Sequence, residues 1–453
     1  MKTTPLESWI RSKLAVSATG DGLVKELRRY QLEKVRETVH RAKERSPFYR
    51  RRLEGLSCKD LESLEDLSRL PFTTPSDLRE NDKRLLCVSQ SAVQRVASLP
   101  TSGTTGPPKR VYFSGEDLET TLDFFHRGMS TLVEPGWKVL ILLPGQRPDG
   151  AGDLLVRALA RMEVRGIAEG PVIDPRRTVE KAWRHEADCL LGIPVQVLAL
   201  AREPEGGKLL RNRVRTVLLT ADHVPRSIAD VVERTWNCRV FNHYGMTETG
   251  LGGGVECEAR KGYHLREPDL YFEIVHPPTG EPVPAGETGE IVFTTLTRRA
   301  MPLIRYRTGD LSRFIPGPCP CGSSLPRLER VRSRIQGQVR LKSGGVLTLA
   351  DLDEALFPLD GVTDYRATLR KDDQGRDVLH LAFQALPAFR EGVSRRVEEA
   401  LGEIAALRAA WRDGSLRLAP VDFDAGGPPS TGMAKRTLEN QGGRVKSEGG
   451  RRT

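Results

Sequence analysis

The chain has 453 residues, 38% of them apolar and 29% charged, with a formal net charge of +10. That length exceeds what one hydrophobic core accommodates, so two or three domains are expected. No run of eighteen apolar residues offers a membrane span, and MKTTPLESWIRSKL lacks the unbroken apolar core of a secretory signal, so a cytoplasmic protein is expected.

Most of the basic excess sits in two places. Residues 25–52 hold eleven Lys/Arg against four Asp/Glu, and residues 435–453 hold six against two. In the first span Leu23, Leu27, Tyr30, Val35 and Val39 form one apolar helical stripe, so the charges make a solvated face. Interleaved aromatics and known modules are missing, and nucleic acid is not an expected partner. The Gly-rich end, 441–453, is expected to be disordered. Seven cysteines, an odd number, argue against a disulfide framework.

In chain order, the first hundred residues read as helices, with Pro47 and Pro71 as stops. Then comes TSGTTGPPKR (101–110), a loop of Gly, Ser, Thr and Pro with Lys109 near its end. Glycines let backbone N–H groups approach an anion, hydroxyls add donors and the lysine adds a point charge. The spacing is not that of a Walker loop, because Gly103 and Gly106 are separated by two residues and Lys109 follows two prolines. Taken alone, this is as much an ordinary surface loop as a phosphate site.

WKVLILL (137–143), VRTVLLT (214–220) and CRVFN (238–242) read as buried strands, alternating with helices at 153–162 and 225–236. That alternation predicts parallel strands covered by helices. From Tyr271 the pattern becomes consecutive strands joined by turns, which predicts an antiparallel, barrel-like portion. A boundary falls near 333–337. Beyond it a smaller α+β unit is expected: strand 338–342, helix 349–357, strands near 364–370 and 377–384, helix 390–410 and strand 415–420.

Three further stretches change the weight of the loop. YGMTE (244–248) follows a short strand, YRTGD (306–310) lies among strands, and PSTGMAK ends at Lys435. With the loop, their order and spacing resemble the adenylate-forming superfamily of acyl-CoA synthetases and luciferase-like ligases. SPFYRRRL, LEDLSRLPFTTPSDLRE, FTTLTRRAMPLIRYRTGD, CPCG and PRLERV are similar to the phenylacetate–CoA ligase branch. The resemblance implies an α/β fold with a large AMP-binding domain (1–334), a mobile C-terminal domain (335–440) and a basic tail (441–453).

The resemblance also implies a reaction in two halves. A carboxylate attacks the α-phosphate of ATP, giving acyl-AMP and pyrophosphate, and the thiol of coenzyme A then takes the acyl group. The residues implied for the phosphates are Thr101, Ser102, Gly103, Thr104, Thr105, Gly106 and Lys109. Those implied for the adenosine are Ala221, Asp222, Asn242, His243, Tyr244, Gly245 and Met246, with Asp310 on the ribose and Arg334 reaching the nucleotide. Thr247 and Glu248 complete the motif, Glu248 as the Mg²⁺ carboxylate, and Lys435 is the lysine at the α-phosphate. Gln336 and Gly337 stand at the hinge; Gln336 replaces the Asp or Lys of relatives, and Gly337 supplies backbone freedom.

LPGQRPDGAGDLL (143–155) carries Arg147, Asp149 and Asp153 where the branch has an aromatic, Gly-rich loop. Either a more polar acid or solvent-facing charges would account for them. Cys257, His264, Cys319 and Cys321 offer three Cys and one His, a complete set for structural zinc, or else buried cysteines beside a turn. The expected partners are a small carboxylic acid, ATP and CoA, in a monomer or homodimer. A carrier-protein thiol as acceptor and a non-catalytic nucleotide-binding role are the alternatives.

Overall fold

A computed structural model describes residues 2–99, 108–145, 147–423 and 436–441. The α/β expectation holds. An eight-stranded sheet runs, edge to edge, through Arg327–Leu328, Tyr263–Leu265, Gly254–Glu256, Arg239–Tyr244, Thr216–Leu219, Cys189–Gly192, Lys138–Ile141 and Arg165–Ala168. The five strands from Arg239–Tyr244 to Arg165–Ala168 are parallel; those beyond Tyr244 are antiparallel.

The inner parallel strands are short apolar runs such as TVLL and CLLG, buried throughout because helices cover both faces. Helix Arg226–Trp236 packs through Ile228, Ala229, Val232 and Trp236, the spacing of one helical stripe. The carboxyl end of Thr216–Leu219 leads into Thr220–Asp222, and that of its neighbour Arg239–Tyr244 leads into Gly245–Glu248. Ligands of open α/β sheets bind at such strand ends.

The antiparallel portion after Tyr271 is a second sheet, Leu270–Val275, Gly289–Thr295, Tyr306–Ser312 and Ser333–Arg334. Residues Ile335–Gly337 make one 3₁₀ turn between Arg334, still paired in this sheet, and the hairpin of Gln338–Arg340 with Val346–Thr348. From Val362 a third sheet forms, ordered Leu416–Leu418, Asp377–Ala385, Val362–Lys371, Leu438–Asn440.

Several elements differ from expectation. Helix Gly20–Arg45 stops just before Pro47 as expected, but Pro47 also opens a second helix, Pro47–Arg52, with Ser46 as its cap. A proline at the first helical position loses only an N–H that has no intrahelical partner. The helix expected over 390–410 is two helices, Arg390–Gly402 and Ala405–Arg412, broken after a glycine, a weak helix former. Leu438–Asn440, expected only as the approach to the tail, is a strand that pairs in parallel with Ala367–Leu369. Among the described residues, no helix is long and apolar enough to cross a membrane.

Candidate active site

Strands Arg95–Leu99 and Lys109–Phe113 pair antiparallel, with Leu99 opposite Lys109. They flank the Gly/Thr loop, whose Thr101, Ser102, Gly103, Thr104, Thr105 and Gly106 lie outside the described residues. Lys109 reaches Glu248: Nζ is 2.5 Å from Oε1. The hydroxyl of Tyr306 donates to the same oxygen at 3.0 Å. Burial would raise the Glu248 carboxyl, but the Lys109 ammonium and hydrogen bonds from Lys109 and Tyr306 outweigh it and hold the group below its ordinary value.

Glu248 sits in a 3₁₀ turn, Thr247–Thr249, built by local hydrogen bonds. The Met246 N–H donates to Thr249 Oγ1 at 3.1 Å, and the Gly250 N–H to the Thr247 carbonyl at 3.0 Å. Gly250 closes the turn at φ +76°, a left-handed conformation that glycine adopts freely. Gly245 has no room for a side chain, because a Cβ there would lie 2.6 Å from the Leu251 carbonyl oxygen. Arg298 donates to the Glu248 carbonyl at 2.6 Å and stacks over Phe113. Burial pushes its guanidinium down to about 10. No sequence motif singled out Arg298; it is one of two adjacent arginines in TLTRRAMP, and only the fold shows which one turns inward.

Asp310, 2% exposed, joins the two sheets of the N-terminal region. Tyr244 Oη donates to its Oδ2 at 3.1 Å, and Arg334 Nε to its Oδ1 at 2.5 Å. Arg334 faces Asp310 directly in the strand register. Ala221 is left-handed at φ 72°, unusual for a residue with a Cβ and a mark of backbone held for a purpose. Thr220 Oγ1 shares a 2.8 Å hydrogen bond with His243 Nδ1, while His243 Nε2 is buried and unpartnered. Burial pushes that imidazole down to about 4. The Asn242 N–H donates to Glu256, itself paired with Arg330, so Asn242 is fixed through its backbone.

Asp222 accepts the Arg436 N–H at 3.4 Å. Lys435, the residue before Arg436, lies outside the described residues. Gln336 and Gly337 occupy the turn between the two regions, and Gly337 is not left-handed there; a Cβ on it would meet only Arg334 Cβ, at 3.7 Å.

The charges near 143–155 form a local network. Arg157 donates to Asp149 at 2.8 Å, Gln94 to the same carboxylate, and the Asp149 N–H to Asp153. Asp149 and Asp153 are therefore committed to the start of helix Ala151–Ala160 and give no ground for a polar acid.

At the antiparallel end of the large sheet, Cys257, His264, Cys319 and Cys321 are all buried, with ligand atoms within 4.8 Å of one another. Cys257 Sγ is 3.6 Å from Cys319 Sγ, and Cys321 Sγ is 3.6 Å from His264 Nε2. Zinc–sulfur bonds of about 2.3 Å put tetrahedral ligands roughly 3.7 Å apart, so this donor set fits the ion.

Known proteins share this arrangement of sequence and fold. The model of the AMP-binding enzyme family matches residues 51–296. The phenylacetate-coenzyme A ligase of Thermus thermophilus is 29% identical over 412 residues, covering 83% of this chain and 90% of that one. The phenylacetate-coenzyme A ligase of Aromatoleum evansii is 31% identical over 319 residues, 68% of this chain and 70% of that one. Among solved structures, 2-hydroxyisobutyryl-CoA ligase with 2-HIB-AMP in its postadenylation state superposes with a TM-score of 0.75 at 22% identity, covering 92% of this chain and 89% of that one.

Proposed function

The chain belongs to the AMP-binding enzyme family, and from that premise we infer that it is an AMP-forming ligase joining a carboxylic acid to coenzyme A. The observation that carries the reading is one continuous arrangement around three buried groups, Glu248, Tyr244 and Asp310, in which Lys109–Glu248 and Tyr244–Asp310–Arg334 meet through the strand Tyr306–Ser312.

Asp310 accepts the ribose hydroxyls of ATP, and Arg334 holds that carboxylate in place. Tyr244 and Thr220–Asp222 hold the adenine, with Asn242, His243, Gly245 and Met246 shaping the strand end behind it. Lys109, with Thr101, Ser102, Gly103, Thr104, Thr105 and Gly106, receives the β- and γ-phosphates and steadies pyrophosphate as it leaves. Glu248, beside Thr247, is the carboxylate for Mg²⁺, an ion that takes one or two carboxylates together with phosphate oxygens. When bound, that ion neutralises charge on the phosphates.

The acid's carboxylate attacks the α-phosphorus, the bond to pyrophosphate breaks, and Lys435 stabilises the charge developing there. The CoA thiol then attacks the acyl carbonyl, AMP leaves, and the thiol proton passes to solvent. Residues 1–334 form the AMP-binding domain, 335–440 the domain that swings about Gln336–Gly337 between the two steps, and 441–453 a tail. Structural zinc on Cys257, His264, Cys319 and Cys321 ties the loop after Gly254–Glu256 to the loop before Arg327–Leu328.

ATP–pyrophosphate exchange across a panel of carboxylates without CoA, beginning with phenylacetate, tests the first half-reaction. Thioester formation on adding CoA tests the second. Exchange with no acid in the panel, from folded protein, overturns the reading.

A further inference from the structure

Helix Arg226–Trp236 starts without a cap of its own. Pro225 stands at its N-cap position and has no side-chain acceptor. The first N–H groups of any helix lack intrahelical partners. Here the partner comes from more than a hundred residues away: Glu354, in helix Leu349–Leu356, accepts the Arg226 N–H on Oε1 at 2.7 Å and the Ser227 N–H on Oε2 at 3.0 Å. Ser227 Oγ donates to the neighbouring Asp353 carbonyl at 3.2 Å, and Arg202 donates to the Phe357 carbonyl at 2.6 Å.

The side chain of Asp353 turns the other way. Its Oδ1 accepts Arg436 at 2.6 Å, Asp364 pairs with the same guanidinium at 3.0 Å, and the rings of Phe357 and Tyr365 lie 4.9 and 4.5 Å from it. Arg436 is thus locked to the unit that carries Glu354, while its own N–H touches Asp222 on the nucleotide side. Two adjacent carboxylates on one helix do two jobs: Asp353 fixes the chain at Arg436 within the C-terminal region, and Glu354 fixes that region to the AMP-binding region.

We propose that Glu354 is a positioning residue for the first half-reaction, a carboxylate that caps helix Arg226–Trp236 across the domain boundary and so holds Arg436 against Asp222 on the nucleotide side. This rests on the ligase reading above. Swinging residues 335–440 for the second step breaks the cap, and the helix has no substitute of its own. The contact therefore favours the adenylating orientation alone. Glu354 remains solvent-exposed, so water competes for the cap and the contact is reversible, as a contact broken in every turnover must be.

The test uses the full chain with Glu354→Ala, and with Glu354→Ala plus Pro225→Ser, which gives the helix a local cap. Three quantities are read: pyrophosphate exchange with the best acid of the panel, thioester formation from the preformed adenylate of that acid, and amide hydrogen exchange at residues 226–227. Glu354→Ala is expected to lose protection at those amides and about three- to tenfold of the exchange rate, with the thioester step undiminished. The double variant regains protection at the Ser227 amide, which a serine cap at 225 can reach, while its pyrophosphate exchange stays low. Restored exchange in the double variant shows a role in helix stability only and overturns the proposal. So does equal loss in both half-reactions, or retained protection in the single variant. Exchange absent from the wild-type chain with every acid is a failure of the ligase reading instead, and is seen without any variant.

Discussion

Lys109 Nζ and Glu248 Oε1 are 2.5 Å apart, and they come from two distant stretches of chain, one after the Gly/Thr loop and one in the YGMTE turn. On the proposed reading, nucleotide entry would part this pair, with Lys109 transferring to phosphate oxygens and Glu248 to the ion.

Glu248→Gln is therefore expected to lower pyrophosphate exchange by several powers of ten with the fold intact. Lys109→Met removes one cation from the leaving group and should cost about 100- to 1,000-fold. Exchange rates with circular dichroism and melting curves decide it. Full exchange in folded Glu248→Gln protein would refute the assignment.

Lys435→Ala separates the half-reactions. Adenylate formation should fall at least ~100-fold if Lys435 has its proposed role, because the charge stabilising the reacting phosphate is then lost. The same variant given preformed acyl-AMP should still make thioester. A lysine that merely begins a basic tail would leave both halves unchanged when substituted.

His243 makes acid stability a readout of the packing at the end of strand Arg239–Tyr244. Its imidazole titrates at about 4 in the fold, where burial disfavours the cation, against about 6.5 unfolded. Between those values the unfolded chain binds more protons, so stability rises with pH through the window, is complete above ~6.5 and is lost as pH falls towards 4. Between pH 7 and pH 5 the wild-type chain should lose up to about 2 kcal/mol more than His243→Gln. Urea midpoints at the two pH values measure the difference, and equal losses would count against it.

The zinc assignment predicts one equivalent of metal in protein purified without chelator. Cys319→Ser should lower both the content and the melting temperature, while exchange at permissive temperature persists, since a closed site is structural. Elemental analysis without stoichiometric zinc would exclude the ion.

What could be read in the sequence was what is local. Tyr244 to Glu248 and Tyr306 to Asp310 are contiguous motifs, and short apolar runs such as TVLL sit where a covered parallel sheet puts them. The four Cys/His residues were legible as a set, because their chemistry limits what they do together. Arg298 and Glu354 were not legible. One acts through a main-chain carbonyl fifty residues earlier, the other on backbone N–H groups in another region, and neither act leaves a residue pattern. Strand Leu438–Asn440 was hidden for the same reason: three residues among charges become a strand only by pairing with Ala367–Leu369. The charges at Asp149 and Asp153 left two readings open in the sequence, because a surface network and a polar pocket use the same residue types, and only the contacts with Arg157 and Gln94 decide between them.

The Tyr244–Asp310 hydrogen bond has a consequence for the protein's survival as well as its chemistry. It spans sixty-six residues and two separate sheets, so the proposed adenosine site would exist only while both are assembled against each other. A chain with either sheet detached has no site, and ATP then acts as a selective ligand of the correctly assembled form, stabilising it by mass action. Protease resistance should rise with nucleotide concentration across the whole N-terminal region rather than around the bound ligand alone. In a cell, a falling ATP level would then withdraw substrate and shorten the enzyme's lifetime at once.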